Sequence, residues 1–209
     1  MKVLLIDDHA LVRRGMISLL QEHFKEVEIG EAGDAKSGMM VLSQDQWDLV
    51  VVDISMPGRN GLELIEDIKR ERPALPILVI STHPEKDYAL RALKSGASGY
   101  VTKQSAADVL VTAVKRVIGG GRYVSQAFAE HLAGTVAGIS NGSSHENLSN
   151  RELLVLKLIA SGKSIKEISA DLALSAKTVA TYRSRIAEKM NLSSNVDLTR
   201  YAMQHGLVD

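Results

Sequence analysis

Four short apolar runs in this chain end on side chains that can do chemistry, and that pattern constrains the fold before composition is considered. Val3-Leu4-Leu5-Ile6 runs into Asp7-Asp8, and Leu49-Val50-Val51-Val52 into Asp53. Ile77-Leu78-Val79-Ile80 runs into Ser81-Thr82, and Tyr100-Val101-Thr102 into Lys103. The run around Val27-Glu28-Ile29 ends without a reactive group. Runs this short, apolar on both faces and separated by helix-length segments, predict buried parallel strands. An open parallel sheet binds its ligands outside the carboxyl ends of its strands. The sequence therefore delivers three carboxylates, a hydroxyl and an ammonium to one end of one sheet.

Between these strands the apolar residues recur at three- and four-residue spacings, as in Leu62, Ile65 and Ile68, or Val109, Ala113 and Val117. Helices are predicted near 11–22, 35–42, 61–70, 86–93 and 106–118, the last closed by Gly119-Gly120-Gly121. Five strands alternating with five helices give a doubly wound α/β fold on a five-stranded parallel sheet, because right-handed crossovers place helices on both faces. This first domain is expected over residues 1–121. A linker with one more helix, near 124–136, follows over 122–147, and its Gly138–His145 stretch is short, polar and glycine-rich.

The remainder, 148–209, is predicted to be an all-α domain of four short helices near 150–161, 165–172, 176–190 and 196–205. Ser149 with Glu152 and Ser164 with Glu167 have the spacing of capping boxes. Ser175 and Asn195 are placed to cap the third and fourth helices. Net charge is zero overall, yet residues 1–147 hold 16 Lys/Arg against 19 Asp/Glu and residues 148–209 hold 9 against 6. A mildly basic tail on a mildly acidic body points to a polyanion partner for the tail. The chain has no cysteine, which excludes disulfides and thiolate metal sites and fits the cytoplasm. No apolar run approaches a membrane span, so no membrane partner is expected.

Asp7, Asp8 and Asp53 are expected to meet at the sheet edge. Three like charges at short range raise at least one pKa unless a cation neutralises them, and an all-oxygen cluster that keeps water ligands suits Mg²⁺. Helix capping by Asp7 or Asp8 would explain neither Asp53 nor Lys103. A carboxylate at Asp53 can attack a phosphoryl group in line, with Mg²⁺ and Lys103 stabilising the transferring oxygens. Ser81 can donate a hydrogen bond to the new phosphate. His9 and His83 lie near the site and read as loop or cap residues.

Asp7-Asp8, Asp53, Met56-Pro57-Gly58, Gly61, Ser81, Tyr100 and Lys103 together resemble the receiver domain of bacterial two-component response regulators. The resemblance implies Asp53 as phosphoacceptor and Mg²⁺ held directly by Asp8, Asp53 and the main-chain carbonyl of Ser55, with Asp7 acting through water. It implies Ser81 and Tyr100 as the switch pair and Lys103 as the phosphate-binding ammonium. Ser55 and His83 resemble positions that tune dephosphorylation, and Thr82 stands where many receivers carry a smaller residue. Leu148–Val208 resembles the LuxR-type helix-turn-helix, carried by Leu148–Glu152, Gly162-Lys163-Ser164, Lys166-Glu167-Ile168, Ser175–Val179, Ile186, Lys189 and Gly206. The whole chain thus resembles the NarL/FixJ family of transcription regulators.

In the tail, Ile165, Ile168 and Leu172 are expected on the buried face of the scaffold helix, and Val179, Tyr182, Ile186 and Met190 on that of the recognition helix. The opposite face offers Lys177, Thr178, Thr181, Arg183, Ser184 and Arg185 to DNA. Lys177, Arg183 and Arg185 suit phosphates or guanine, and Thr181 and Ser184 suit base edges. The implied partners are a sensor histidine kinase, double-stranded promoter DNA, RNA polymerase and a second copy of the chain when phosphorylated or on DNA. The implied chemistry is self-phosphoryl transfer and dephosphorylation, without an enzyme's turnover of a separate substrate. Two other classes compete. A phosphatase of the haloacid dehalogenase type needs Asp-x-Asp on an early strand, but the position two beyond Asp53 is Ser55 and Asp53 comes on the third strand. A protein-interaction module whose tail serves only dimerisation would show weak or no salt-sensitive DNA binding.

Overall fold

The computed structural model describes residues 1–56, 61–136 and 144–208. The chain forms two compact units, Met1–Ala137 and Gly138–Asp209.

In the first unit five parallel strands, β1 (Lys2–Ile6), β2 (Glu28–Ala32), β3 (Leu49–Asp53), β4 (Ile77–Ser81) and β5 (Gly99–Thr102), stand in the order β2-β1-β3-β4-β5. The chain reverses its direction of winding between β1 and β3, so the crevice lies where Asp7-Asp8 and Asp53 emerge. The central strands β3 and β4 are buried at every position, as their unbroken apolar runs require. Edge strand β2 is half exposed, which explains why its run in the sequence is interrupted by charge.

Helices α1 (Ala10–His23) and α5 (Ala106–Ile118) cover one face. Met16 and Leu20 of α1 and Leu110, Ala113, Val114 and Val117 of α5 pack on Val3, Leu5, Val51, Leu78 and Ile80. Helices α2 (Ala35–Gln44), α3 (Gly61–Glu71) and α4 (Glu85–Lys94) pack against the sheet as well, and the side chain of Ile6 reaches Gly38 on α2. On α3 the apolar residues Leu62, Ile65 and Ile68 are fully buried. The expected linker segment divides. Helix α6 (Gln126–Val136) falls within the first unit, with Phe128 buried, and Tyr123 bridges to Gly99 along the free edge of β5. Residues 137–143, which hold most of the glycine-rich stretch, and Pro57 and Gly58 lie outside the described residues.

The second unit holds α7 (Asn150–Ala160), α8 (Ile165–Asp171), α9 (Ala176–Met190) and α10 (Asn195–Gln204), after a short 3-10 turn at Ser144–Asn147. Both expected capping boxes form, and Ser175 accepts from the Thr178 N–H. The fourth helix is capped one residue earlier than expected. Ser194, not Asn195, is its cap, in a box with Asp197 that satisfies two orphan N–H groups. Leu153, Leu156, Ile168, Val179, Ile186, Leu198 and Ala202 form the core. Three expected core residues sit further out: Ile165 is 37% exposed, Leu172 is only half-buried, and Tyr182 lines a surface groove with Lys177, Thr178, Thr181 and Arg185.

Candidate functional site

Each strand that ends on a polar residue delivers it to the same edge. Asp7 and Asp8 follow β1, Asp53 closes β3, Ser81 closes β4 and Lys103 follows β5. Asp7, Asp53 and Ser81 are buried. Lys103 reaches Asp53 Oδ2 at 2.7 Å and Asp7 Oδ2 at 2.8 Å, and its own N–H donates to the Ser81 carbonyl at 2.7 Å. That last bond continues the β4–β5 ladder past its end, so the pairing that builds the sheet also aims the ammonium.

Burial pushes the Asp53 carboxyl above the ordinary carboxylate range, against the pull of Lys103 and of the Ser55 N–H, which donates to Asp53 Oδ1 at 3.0 Å. For Lys103, burial works against the charged form, but the hydrogen bond to Asp53 and the close approach to Asp7 outweigh it and hold the ammonium above its usual value. Among the described residues the cluster is thus a largely buried anionic pocket that Lys103 enters with its ammonium.

Asp7, Asp8, His9 and Asp53 each present a ligand atom, all within 4.8 Å of one another. Among the described residues Asp7 Oδ2 and Asp8 Oδ1 receive no well-directed hydrogen bond, although Lys103 Nζ and His9 Nδ1 each stand 2.8 Å away. Buried carboxylate oxygens left short of donors are the mark of a cation site, and a set dominated by oxygen fits a hard cation. His9 takes the N-cap position of α1, as expected, and its ring also faces the acids. It starts α1 without a side-chain capping bond, and its Nδ1 lies 2.8 Å from Asp8 Oδ1 and 3.3 Å from Asp7 Oδ1. Its adjacency to Asp7-Asp8 was the available signal.

Gly61 explains how α3 approaches so near. A Cβ there would collide with the main-chain oxygen of Asp53 and stand 2.7 Å from the Ile54 Cα, while the Gly61 N–H donates to the Ile54 carbonyl at 3.2 Å. On the other side Ser81 Oγ accepts the His83 N–H at 3.1 Å, and the Tyr100 hydroxyl donates to the His83 carbonyl at 2.9 Å. Tyr100 is fully buried, and burial drives its phenol pKa well up. Ser81 and Tyr100 therefore meet through the main chain of His83. Ser55 Oγ and Thr82 Oγ1 face each other at 3.5 Å beside Asp53.

In the second unit Lys177, Thr181, Ser184 and Arg185 are exposed on α9, with Thr178 partly buried at its start. Thr181 Oγ donates to the Lys177 carbonyl at 2.9 Å and Ser184 Oγ to the Ala180 carbonyl at 3.1 Å, so both hydroxyls present lone pairs outward. Arg183 is less available than its place in the sequence implies, since its Nε donates to Asn195 Oδ1 at 2.6 Å. Glu152, buried at the start of α7, accepts from Lys189 at 2.7 Å and so ties α7 to the end of α9.

A parallel sheet with a carboxylate cluster at its carboxyl edge, joined to a helix-turn-helix unit, defines a class in which a receiver governs a DNA-binding module. Residues 3–115 match the response regulator receiver domain, and residues 146–202 match the bacterial regulatory proteins of the luxR family. The chain is 35% identical to the response regulator GacA of Pseudomonas aeruginosa over 100% of its length and 98% of that protein. It is also 35% identical to the response regulator UvrY of Escherichia coli over 98% of its length and 94% of that protein. Among solved structures it is similar to RcsB of Salmonella enterica bound to promoter rprA in the presence of the phosphomimetic BeF3⁻, with a TM-score of 0.70 and 27% identity, covering 96% of this chain and 97% of that one. The chain belongs to the NarL/FixJ family of two-component response regulators and is a DNA-binding transcription regulator of that kind.

Proposed function

We propose that Asp53 accepts a phosphoryl group from a sensor histidine kinase and that the modified chain changes its hold on promoter DNA. The observation that carries this reading is the Lys103 ammonium, which spans Asp53 at 2.7 Å and Asp7 at 2.8 Å inside a carboxylate cluster. An Asp53 oxygen attacks the phosphorus of a phosphohistidine, an acyl phosphate bond forms, and the phosphorus–nitrogen bond breaks as the imidazole leaves. Lys103 moves its hydrogen bonding from the carboxylate to a phosphoryl oxygen, and the Ser81 hydroxyl donates to another. Tyr100 stays inward behind Ser81. Asp8, Asp53 and the Ser55 carbonyl are the groups that would hold Mg²⁺ directly, with Asp7 acting through water. The bound ion supplies charge neutralisation for the transferring oxygens. The protein works on itself, by phosphoryl transfer and dephosphorylation, and turns over no separate substrate.

On DNA, the α9 face of Lys177, Thr178, Thr181, Ser184 and Arg185 enters the major groove, with Lys177 and Arg185 on phosphate or guanine. Thr181 and Ser184, each donating to its own helix, accept from exocyclic amines of adenine or cytosine. Arg183 braces Asn195 and turns to a phosphate only by giving that bond up. Single modules of this size bind weakly, so two copies act on paired half-sites and present RNA polymerase with a dimer. Among the described residues no helix is long and apolar enough to cross a membrane, and the site of action is the cytoplasm, where promoter DNA lies.

Footprinting on bacterial promoter fragments, with and without a small phosphodonor and with Asp53→Ala, tests the reading. Protection that strengthens on phosphorylation and is lost in Asp53→Ala is the expected result. Strong protection unchanged by either treatment would refute control by Asp53, and no sequence-selective protection would move the search to a protein partner.

A further inference from the structure

We propose that Glu85 is a positioning residue: it moors the start of α6 to the switch region, and phosphorylation at Asp53 releases that mooring. The proposal rests on the reading of Asp53 given above.

Glu85 opens α4, and its Oε1 accepts the Ser125 N–H at 2.8 Å. Ser125 in turn starts α6, its Oγ accepting the Phe128 N–H at 3.1 Å. Just upstream, the chain lies along β5. The Tyr123 N–H donates to the Ser98 carbonyl at 3.0 Å, and the Tyr123 carbonyl accepts from Tyr100 N at 2.9 Å. Gly99 makes that approach possible, because a Cβ there would stand 2.7 Å from the Tyr123 carbonyl oxygen. The segment leading into α6 is therefore bonded to the backbone of Tyr100 and to the first residue of α4.

Both attachments touch the switch. His83, two residues before Glu85, holds the Tyr100 hydroxyl on its carbonyl and the Ser81 hydroxyl on its N–H, and its ring stacks on Tyr88 of α4 at 4.2 Å and 10°. Burial and then the Glu85 carboxylate hold the Tyr123 phenol above its usual value. A Ser81 rotamer change that brings its hydroxyl to a phosphoryl oxygen moves Oγ relative to the His83 N–H that it accepts at 3.1 Å, and the 82–84 loop shifts with it. Glu85 follows directly on that loop. A carboxylate gripping one main-chain N–H tolerates only a few tenths of an ångström before the bond weakens. The movement at Asp53 is thereby delivered to the first turn of α6 by covalent continuity and one hydrogen bond.

The test is hydrogen exchange of the full chain with and without beryllofluoride and Mg²⁺, beside DNA affinity for a fragment protected by the wild type. In wild type, exchange at Ser125 should accelerate about tenfold on adding beryllofluoride. Glu85→Ala, and Glu85→Asp, which keeps the charge but shortens the arm, should exchange quickly in both conditions. Their DNA affinity should no longer respond to phosphorylation, although Asp53 still takes up phosphate. Glu85→Gln keeps the acceptor and should behave as wild type. Unchanged Ser125 exchange in wild type that has taken up beryllofluoride would overturn the proposal, as would a wild-type response in Glu85→Asp or a lost one in Glu85→Gln. Failure of the wild type itself to take up phosphate at Asp53 would instead refute the reading beneath it.

Discussion

Replacing Lys103 by Met separates two properties that usually fall together, metal affinity and phosphoryl transfer. The side chain keeps an unbranched apolar stem, one atom shorter, but loses the ammonium that lies 2.7 Å from Asp53 Oδ2 and 2.8 Å from Asp7 Oδ2. A cation held by the carboxylates, whose ligand atoms fall within 4.8 Å of one another, would share Asp7 and Asp53 with that ammonium. Even at a water-like dielectric, a lower bound for a buried site, a single and a double positive charge about 5 Å apart repel by roughly 1.7 kcal/mol, or slightly more than tenfold in affinity. Lys103→Met should therefore bind Mg²⁺ at least about tenfold more tightly, as read by titration calorimetry. Phosphorylation should move the opposite way. Removal of one preorganised donor to a developing anion costs about 3–4 kcal/mol, so the rate with acetyl phosphate at saturating Mg²⁺ should fall by about two to three orders of magnitude. Intact-mass measurement of the phosphorylated fraction over time gives that rate. A variant that binds Mg²⁺ more tightly and is phosphorylated at the wild-type rate would refute the role given to the ammonium. One with weaker Mg²⁺ binding would show that Lys103 organises the carboxylates rather than competing with the ion.

Gly61→Ala puts a methyl against the main-chain oxygen of Asp53 and should destabilise the first unit by about 1–3 kcal/mol in urea unfolding while slowing phosphorylation, whereas an unchanged midpoint would show that α3 can shift freely. Glu152 is held below the usual carboxylate range: burial opposes this, but hydrogen bonds from Lys189 and Ser149 outweigh it. Its contribution to stability is then fully present above the unfolded carboxyl's pKa and lost as pH falls through the lower folded value, so the second unit should loosen below about pH 4.5. Lys189→Ala, which removes the 2.7 Å partner, should cost about 1–3 kcal/mol at neutral pH, a loss checked by thermal unfolding. Thr181→Val, which removes an outward lone pair but keeps the shape, should relax base preference at one position in selected DNA sites, and an unchanged base preference would remove Thr181 from the reading face.

Strand ends carried the site into the sequence because a parallel sheet sends every carboxyl end to one edge. Asp7, Asp8, Asp53, Ser81 and Lys103 needed only the run lengths to be brought together. Capping boxes at Ser149 and Ser164 were legible for a similar reason, since three-residue spacing is all that a local hydrogen bond requires. Contacts between elements left no such mark. Ser194 and Asn195 are both good caps, and only the chain's entry into α10 decides between them. Nothing near Arg183 in the sequence announces Asn195, and nothing near Gly121 announces that Tyr123 will pair with β5. Tyr182 and Ile165 were placed by periodicity, which gives the direction of a helix face but not how far its neighbours extend.

The strand order has a consequence for biosynthesis. Asp53 stands on the middle strand, flanked by β1 with its acids and by β4, and the ammonium arrives on β5. No subset of β1, β3, β4 and β5 makes a complete pocket, because each of these four supplies a different group, whereas β2 supplies none. A growing chain becomes competent for phosphorylation only when Lys103 has left the ribosome and β5 has added to the edge. The helix-turn-helix is synthesised after that point, and domains fold as units from the N-terminus. The protein can thus sense before it has anything with which to respond, and a phosphoryl group taken up in that interval would be waiting when the DNA-binding unit first folds.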